Sequence, residues 1–245
     1  MINKNEVKYI QSLSQKKHRL QEGLFIAEGV KLVEEIIQSQ YTVKKIYATE
    51  KWLIGRGGDG QAVTVVSEAE LARISTLQTP NQVLALVQQP TIQAQIEFKN
   101  KLSLVLDGIQ DPGNLGTIIR IADWFGIKQI ICSPDTVELY NPKVIQSTMG
   151  SFLRVHIIYT DLKEVLAKAG VPILGALLNG ESIYTFPPID EAILMIGSEG
   201  KGISDDLLPF ITKPVTIPKM GGAESLNAAV ATGILISHLV VSRKS

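Results

Sequence analysis

Cysteine is almost absent from this chain: Cys132 stands alone among 245 residues. No internal disulfide can form, which fits a reducing compartment, and a cytoplasmic protein is expected. Histidine is nearly as scarce. His18, His156 and His238 have no neighbouring ligand spacing, so no metal site is expected. Long hydrophobic runs are missing, since no stretch reaches the ~18 uninterrupted apolar residues of a membrane span. The opening Met1-Ile2-Asn3-Lys4-Asn5-Glu6 lacks the apolar core of a signal peptide. No membrane partner is expected. Surplus charge is absent too, with 24 basic and 24 acidic side chains. That balance argues against a surface coated for non-specific nucleic-acid binding.

Familiar catalytic signatures are also missing. There is no G-x-G-x-x-G after the first strand of the second half. Gly200-Lys201-Gly202 lacks the earlier glycine and the Ser/Thr of a phosphate-binding loop. No serine sits in a G-x-S-x-G elbow, and Cys132 has no histidine near it in sequence. A dinucleotide enzyme, a nucleotide hydrolase and a nucleophilic hydrolase are all disfavoured.

What is present is an apolar, well-punctuated chain, 45% hydrophobic and 20% charged, which excludes disorder. Residues 1–88 read as a small α/β unit. Val7, Ile10 and Leu13 recur at helical spacing, and Leu32, Val33, Ile36 and Ile37 form the inward face of a second helix. Strands are expected at 24–27, 44–48, 63–66 and 82–87, with an exposed turn at 55–60. Ser67 and Glu70 have capping-box spacing. The first 20 residues hold Lys4, Lys8, Lys16, Lys17 and Arg19 against Glu6. They read as a solvated helix face, and as the first place to look for RNA phosphate contacts.

From Gln88 to Gln95 the chain has four glutamines, one proline and no charge, the composition of a linker. The expected division is a first domain over 1–90, a linker over 91–97 and a second domain over 98–245. The second domain alternates strand signals (102–106, 129–132, 155–159, 173–178, 192–196, 215–217) with helix signals (about 115–125, 142–149, 162–169, 204–211, 226–241). That order implies a mostly parallel sheet covered by helices on both faces. Asn141-Pro142 and the Asp161/Glu164 pair mark two of the helix starts. Trp124 reads as a core residue.

Three glycine-containing turns directly follow strands of this domain: Asp107 to Gly116, Gly197 to Gly202, and Ile217 through Ser225-Leu226-Asn227. Ligands of open α/β sheets gather outside the carboxyl ends of strands, so the three turns can converge on one pocket. Each polar residue in them also has a plainer reading. Ser225 can simply cap the last helix, with Asn227 in its first turn; Asn114 can cap the helix after Pro112-Gly113; Arg120 can pair with Asp123 on the surface. Glu199 can be an ordinary exposed turn acid.

The ordered set Asp107…Asp111-Pro112-Gly113-Asn114-Leu115-Gly116…Arg120, then Met195-Ile196-Gly197-Ser198-Glu199-Gly200, then Ile217-Pro218…Ser225-Leu226-Asn227 resembles the SpoU (TrmH-type) RNA 2′-O-ribose methyltransferases. The segment around Gly23 to Gly29 resembles the L30e-like substrate-binding domain that often precedes them. The resemblance implies an α/β SPOUT fold, whose mostly parallel sheet ends in a C-terminal trefoil knot, behind a small L30e-like α/β domain. It implies S-adenosylmethionine as cofactor, held by Gly197, Ile217 and Leu226 with help from Leu178 to Gly180. It assigns Asn114, Arg120, Glu199, Ser225 and Asn227 to the catalytic pocket, and RNA and a second copy of the chain (a homodimer) as partners. Ribosomal RNA ranks ahead of tRNA by analogy with the L30e fold. A guanidinium stays protonated near neutral pH, so Arg120 is expected to clamp a phosphate and stabilise the developing alkoxide rather than act as a base. The alternative is a non-catalytic RNA-binding or ribosome-associated protein on the same scaffold.

Overall fold

The computed structural model describes residues 2–54, 63–91, 95–187 and 189–241. The turn expected at 55–60 and part of the 91–97 linker lie outside these residues. In chain order the elements are α1 (Lys4–Ser12), α2 (Lys16–Glu22), β1 (Leu24–Glu28), α3 (Val30–Ile37), β2 (Val43–Ala48), α4 (Glu50–Ile54), β3 (Val63–Val65), α5 (Glu68–Ile74) and β4 (Val83–Gln88). Then come β5 (Leu102–Leu106), α6 (Pro112–Trp124), β6 (Gln129–Cys132), α7 (Pro142–Thr148) and β7 (His156–Tyr159). The chain continues with α8 (Leu162–Leu166), β8 (Ile173–Ser182), β9 (Ala192–Ile196), β10 (Lys213–Thr216) and α9 (Ala228–Val241). These elements form two compact units, Met1–Ile92 with Glu138–Leu153, and Gln93–Val137 with Arg154–Ser245.

The first unit is built on a mixed sheet in the order β1-β4-β2-β3, with β4 antiparallel to both of its neighbours. Val7 and Ile10 of α1 pack with Leu13, Ile26, Tyr47, Leu71, Ile74 and Leu84 in its core. Ser67 and Glu70 make the expected capping box at the start of α5, each side chain taking the other's backbone N–H. Arg19 departs from expectation. It is 1% exposed, its Nη1 donating to the carbonyls of Leu13 (2.8 Å) and Ser14 (2.6 Å) while its Nη2 pairs with Glu138. It therefore leaves the basic patch, of which Lys4, Lys8, Lys16 and Lys17 remain exposed.

The same ion pair helps explain why Glu138–Leu153 groups with the first unit, although the sequence boundary left it with the second domain. The ring of Phe25 stacks on Tyr140 (centroids 4.7 Å apart) and meets Phe152 edge-on at 6.0 Å, with Tyr41 edge-on to Phe152 at 5.6 Å. Such pairs add to the area they bury.

The second unit carries a six-stranded sheet in the order β10-β8-β9-β5-β6-β7, in which every pairing is parallel. β5, β6 and β9 are buried at every position, which is why they read as nearly continuous apolar runs; the two polar residues among them, Ser103 and Gln129, hydrogen-bond to each other at 2.8 Å. From β5 the chain winds outward through β6 and β7, then crosses to the far side for β8. The strand order thus reverses between β5 and β9. A parallel sheet also points all its carboxyl ends one way, so the segments leaving β5, β9 and β10 share one edge.

Several local expectations change. The helix expected at 204–211 is only a short turn, Leu208–Phe210, with Pro209 inside it. Asp161 caps α8 through the N–H of Lys163, without a reciprocal bond from Glu164. Trp124 is 82% exposed, because α6 buries Leu115, Ile118, Ile119 and Ala122 and its last residue falls off that face. α9 starts at Ala228, not at 226. No helix among the described residues is long and apolar enough to cross a membrane.

Candidate functional site

β5 and β9 end level, Leu106 opposite Ile196, so Asp107 and Gly197 leave the sheet side by side at the point where the strand order reverses. A crevice outside such a switch point is where open α/β sheets receive ligands. The segment after β5 turns into α6 under a cap supplied by Asp111, whose Oδ1 accepts the N–H of Asn114 at 2.7 Å, with Pro112 in the first turn. Asn114 is therefore not the cap. Its side chain is freed for other work.

The segment after β9 is a tight hairpin. Ser198 and Gly202 exchange both backbone hydrogen bonds, at 3.0 and 2.9 Å, and carry Glu199 between them. Gly197 is required by packing: a Cβ there would lie 2.0 Å from the carbonyl carbon of Gly202.

The segment after β10 reaches α9 through Asn227, which caps the helix. Asn227 Oδ1 accepts from the N–H groups of Ala229 (3.0 Å) and Val230 (3.2 Å). The sequence favoured Ser225 as the cap and put Asn227 in the first turn. Both residue types cap well, and the choice falls to the one that can also bond elsewhere.

The three segments meet in a closed polar cluster. Asn114 Nδ2 donates to Glu199 Oε1 at 2.8 Å, and Asn227 Nδ2 donates to the same oxygen at 2.7 Å and to Asn114 Oδ1 at 2.8 Å. The N–H of Ala228, first in α9, reaches Glu199 Oε1 at 3.4 Å. The carboxylate thus sits at the positive end of a 14-residue helix. It accepts three hydrogen bonds on one oxygen, while Oε2 accepts none among the described residues, leaving a fixed acceptor for a ligand's hydroxyl.

Two expected members stay outside this cluster. Ser225 is exposed in the coil before α9 and makes no hydrogen bond among the described residues. Arg120 lies on α6 with Asn114, but six residues on, about 9 Å along the axis and roughly a third of a turn off its face. It is exposed and unpaired among the described residues. Asp123 is not its partner, since Asp123 takes Arg154 Nε at 2.9 Å. The guanidinium is free to bind an anion.

Beside the cluster the chain offers apolar surface and bare backbone. The ladder between β8 and β10 shifts register between Pro214 and Val215, from Gly175 as partner to Glu181, so residues 176–180 bulge. Leu178, 75% exposed, is in that bulge, its carbonyl accepting Thr216 Oγ1 at 3.1 Å. Gly180 packs where a Cβ would be 2.8 Å from the backbone of Pro214. From Ile217 to Leu226 no backbone N–H is donated to another described residue, and Leu226 is 47% exposed. Unpaired backbone groups beside exposed leucines suit a ligand with a flat apolar ring and polar edges.

Cys132 has no part in this chemistry, since its burial pushes the thiol far up and keeps it protonated. Among the described residues no three His, Cys, Asp or Glu side chains converge to hold a metal ion. Sequence reasoning missed the anchoring of the hairpin, where Asp107 Oδ2 accepts the N–H and the hydroxyl of Ser204, and the cap at Asp111, although Asp111-Pro112 is itself a helix-start signal.

Comparison with known proteins places the fold. Residues 4–85 match the MRM3-like substrate binding domain. A Bacillus subtilis (strain 168) protein named 23S rRNA (guanosine(2553)-2′-O)-methyltransferase RlmP is 34% identical over 239 residues, 96% of this chain and 95% of that protein. A Porphyromonas gingivalis structure assigned to the TrmH family superposes with TM-score 0.87 at 37% identity, covering 100% of both chains. An AdoMet-bound rRNA methyltransferase from Sinorhizobium meliloti gives TM-score 0.85 at 29% identity, covering 98% of this chain and 95% of that one. Residues 101–237, which supply all three loops of the cluster, match the SpoU rRNA Methylase family, and the chain belongs to that family.

Proposed function

We propose that this protein transfers a methyl group from S-adenosylmethionine to a ribose 2′-hydroxyl of structured RNA, with ribosomal RNA ahead of tRNA as substrate. The observation that carries the reading is the Asn114–Glu199–Asn227 cluster at the switch point of the parallel sheet. The names of the Bacillus subtilis and Sinorhizobium meliloti relatives support it.

The exposed leucines and unpaired backbone fit the proposed cofactor. Leu178, Gly180, Gly197, Ile217 and Leu226 would hold it, largely through main-chain groups, which glycine lets approach closely. When bound, S-adenosylmethionine supplies a methyl carbon made electrophilic by its sulfonium. Glu199, locked by two amides and a helix N-terminus, takes a ribose hydrogen bond on Oε2. Arg120 clamps the neighbouring phosphate and stabilises charge growing on the 2′-oxygen, while the proton leaves to a phosphate oxygen or water. Ser225 faces the ligand from the loop before α9. Alignment of the reactants and exclusion of water supply most of the acceleration.

Arg120 makes no hydrogen bond or ion pair with the cluster among the described residues, and Trp124 and Val230 leave apolar surface on α6 and α9 uncovered. Both features fit a homodimer in which Arg120 serves the site across the interface. Residues 1–90 act as the L30e-like RNA-recognition domain, 91–97 as the linker and 98–245 as the catalytic domain, its C-terminal segment threaded as a trefoil knot. The protein works in the cytoplasm. The competing reading, a non-catalytic RNA-binding adaptor, has no use for the cofactor site. Titration calorimetry separates the two: an enzyme binds S-adenosylmethionine at micromolar concentration with measurable heat, and no heat of binding overturns the proposal.

A further inference from the structure

Nothing in the mechanism above uses Asp107, yet it is among the few buried acids, 6% exposed. Its backbone N–H donates to the carbonyl of Ile196 at 2.9 Å. Its carboxylate Oδ2 accepts both the N–H of Ser204 (2.7 Å) and the hydroxyl of Ser204 (2.6 Å). Ile196 is the residue before the Gly197 hairpin, and Ser204 follows it. One residue therefore grips both ends of the segment that carries Glu199. Asp107 also begins the segment leading to Asn114, so it sets the spacing between the two loops whose side chains meet at 2.8 Å.

The grip is a strong one, because hydrogen bonds to a buried carboxylate are about twice as strong as neutral ones. It is also needed. The hairpin contains Gly197, Gly200 and Gly202, residues that lose more backbone freedom on ordering than any other type. Ser133 fixes the other side of the turn, its Oγ accepting the N–H of Gly108 at 2.9 Å.

We infer that Asp107 is a positioning residue for methyl transfer: through Ser204 and Ile196 it holds the 197–203 hairpin in register, so that Glu199 meets Asn114 and Asn227. The inference rests on the proposed role of Glu199 in that reaction.

A double-mutant cycle in the full-length protein tests it, read as single-turnover methyl transfer to ribosomal RNA. Asp107→Ala is expected to slow transfer about 50-fold in the native background, as misplacement by about 1 Å does, but less than about threefold when Glu199 is already Gln, since coupled residues are non-additive. Asp107→Asn, which keeps an oxygen for Ser204, should recover about tenfold of that loss. Ser204→Ala disturbs the fold least and guards against misfolding of the first variant. It should slow transfer about fivefold, again only with Glu199 intact. Equal losses in both backgrounds, or full rates for both Asp107→Ala and Ser204→Ala, overturn the inference. A full rate for Glu199→Gln alone overturns the underlying site reading, and this inference with it.

Discussion

Arg120→Ala is expected to lower kcat by at least about a thousandfold while S-adenosylmethionine affinity stays within about threefold. The side chain has no structural partner within the chain among the described residues. It is exposed on α6 without a hydrogen bond or ion pair among the described residues, so its removal should change stability by no more than about 0.5 kcal/mol. An equal fall in kcat and kcat/KM with an unchanged melting curve reports an interaction made only in the transition state. Calorimetry on the same variant gives the cofactor affinity. A kcat near wild type contradicts the assigned role. Mixing Arg120→Ala with Glu199→Ala chains asks where the guanidinium acts. If it serves the site across a two-fold interface, each mixed dimer keeps one native site and random mixing restores about a quarter of wild-type activity. If it serves its own chain, every site carries a lesion and nothing is restored.

Gly197→Ala should disable the protein by a different route. The new methyl group would lie 2.0 Å from Gly202 C, 2.2 Å from Gly202 O and 2.2 Å from Ile203 N. These are backbone atoms of the hairpin's own far strand, with no rotamer to move. The Ser198–Gly202 bridge must open, at a cost of about 3 kcal/mol, the upper part of the usual range for overpacking. Opening it also moves Glu199 and the main chain proposed to hold the cofactor, so S-adenosylmethionine affinity should fall more than about tenfold. Gly200→Ala is the control for stability: a Cβ there meets nothing within 4 Å, and thermal unfolding should shift by less than about 0.5 kcal/mol. Equal stability of the two variants contradicts the packing argument.

The strands at 102–106, 129–132 and 192–196 could be read to the residue, because burial on both faces leaves a nearly unbroken apolar run, as a parallel sheet core requires, with Ser103 and Gln129 as its two polar members. The ends of helices were less legible. Ser225 and Asn227 are both good caps, and only the bond from Asn227 to Glu199, across 28 positions, decides between them. The apolar spacing of Leu207, Leu208, Phe210 and Ile211 imitates a helix, but Pro209 limits it to a single turn. Arg19 shows the limit of local reading most clearly. Within a run of lysines it looks solvated, yet it is buried by Glu138, 119 positions away. The site divides the same way. Its residues were legible as an ordered set of three turns, whereas their contacts were not, since nothing local says that Asp111 would take over the capping role and free Asn114 for Glu199.

Three loops distant in sequence are proposed to form one site for methylating a ribose hydroxyl. The purified protein, supplied with S-adenosylmethionine labelled in its methyl group and with ribosomal RNA lacking the modification, tests it directly. Digestion of the product should place the label in dinucleotides that resist alkali, because a 2′-O-methyl group removes the nucleophile that cleaves the adjacent phosphodiester. Label recovered in alkali-sensitive mononucleotides would place the methyl group on a base and contradict the account, as would RNA that takes up no label at all.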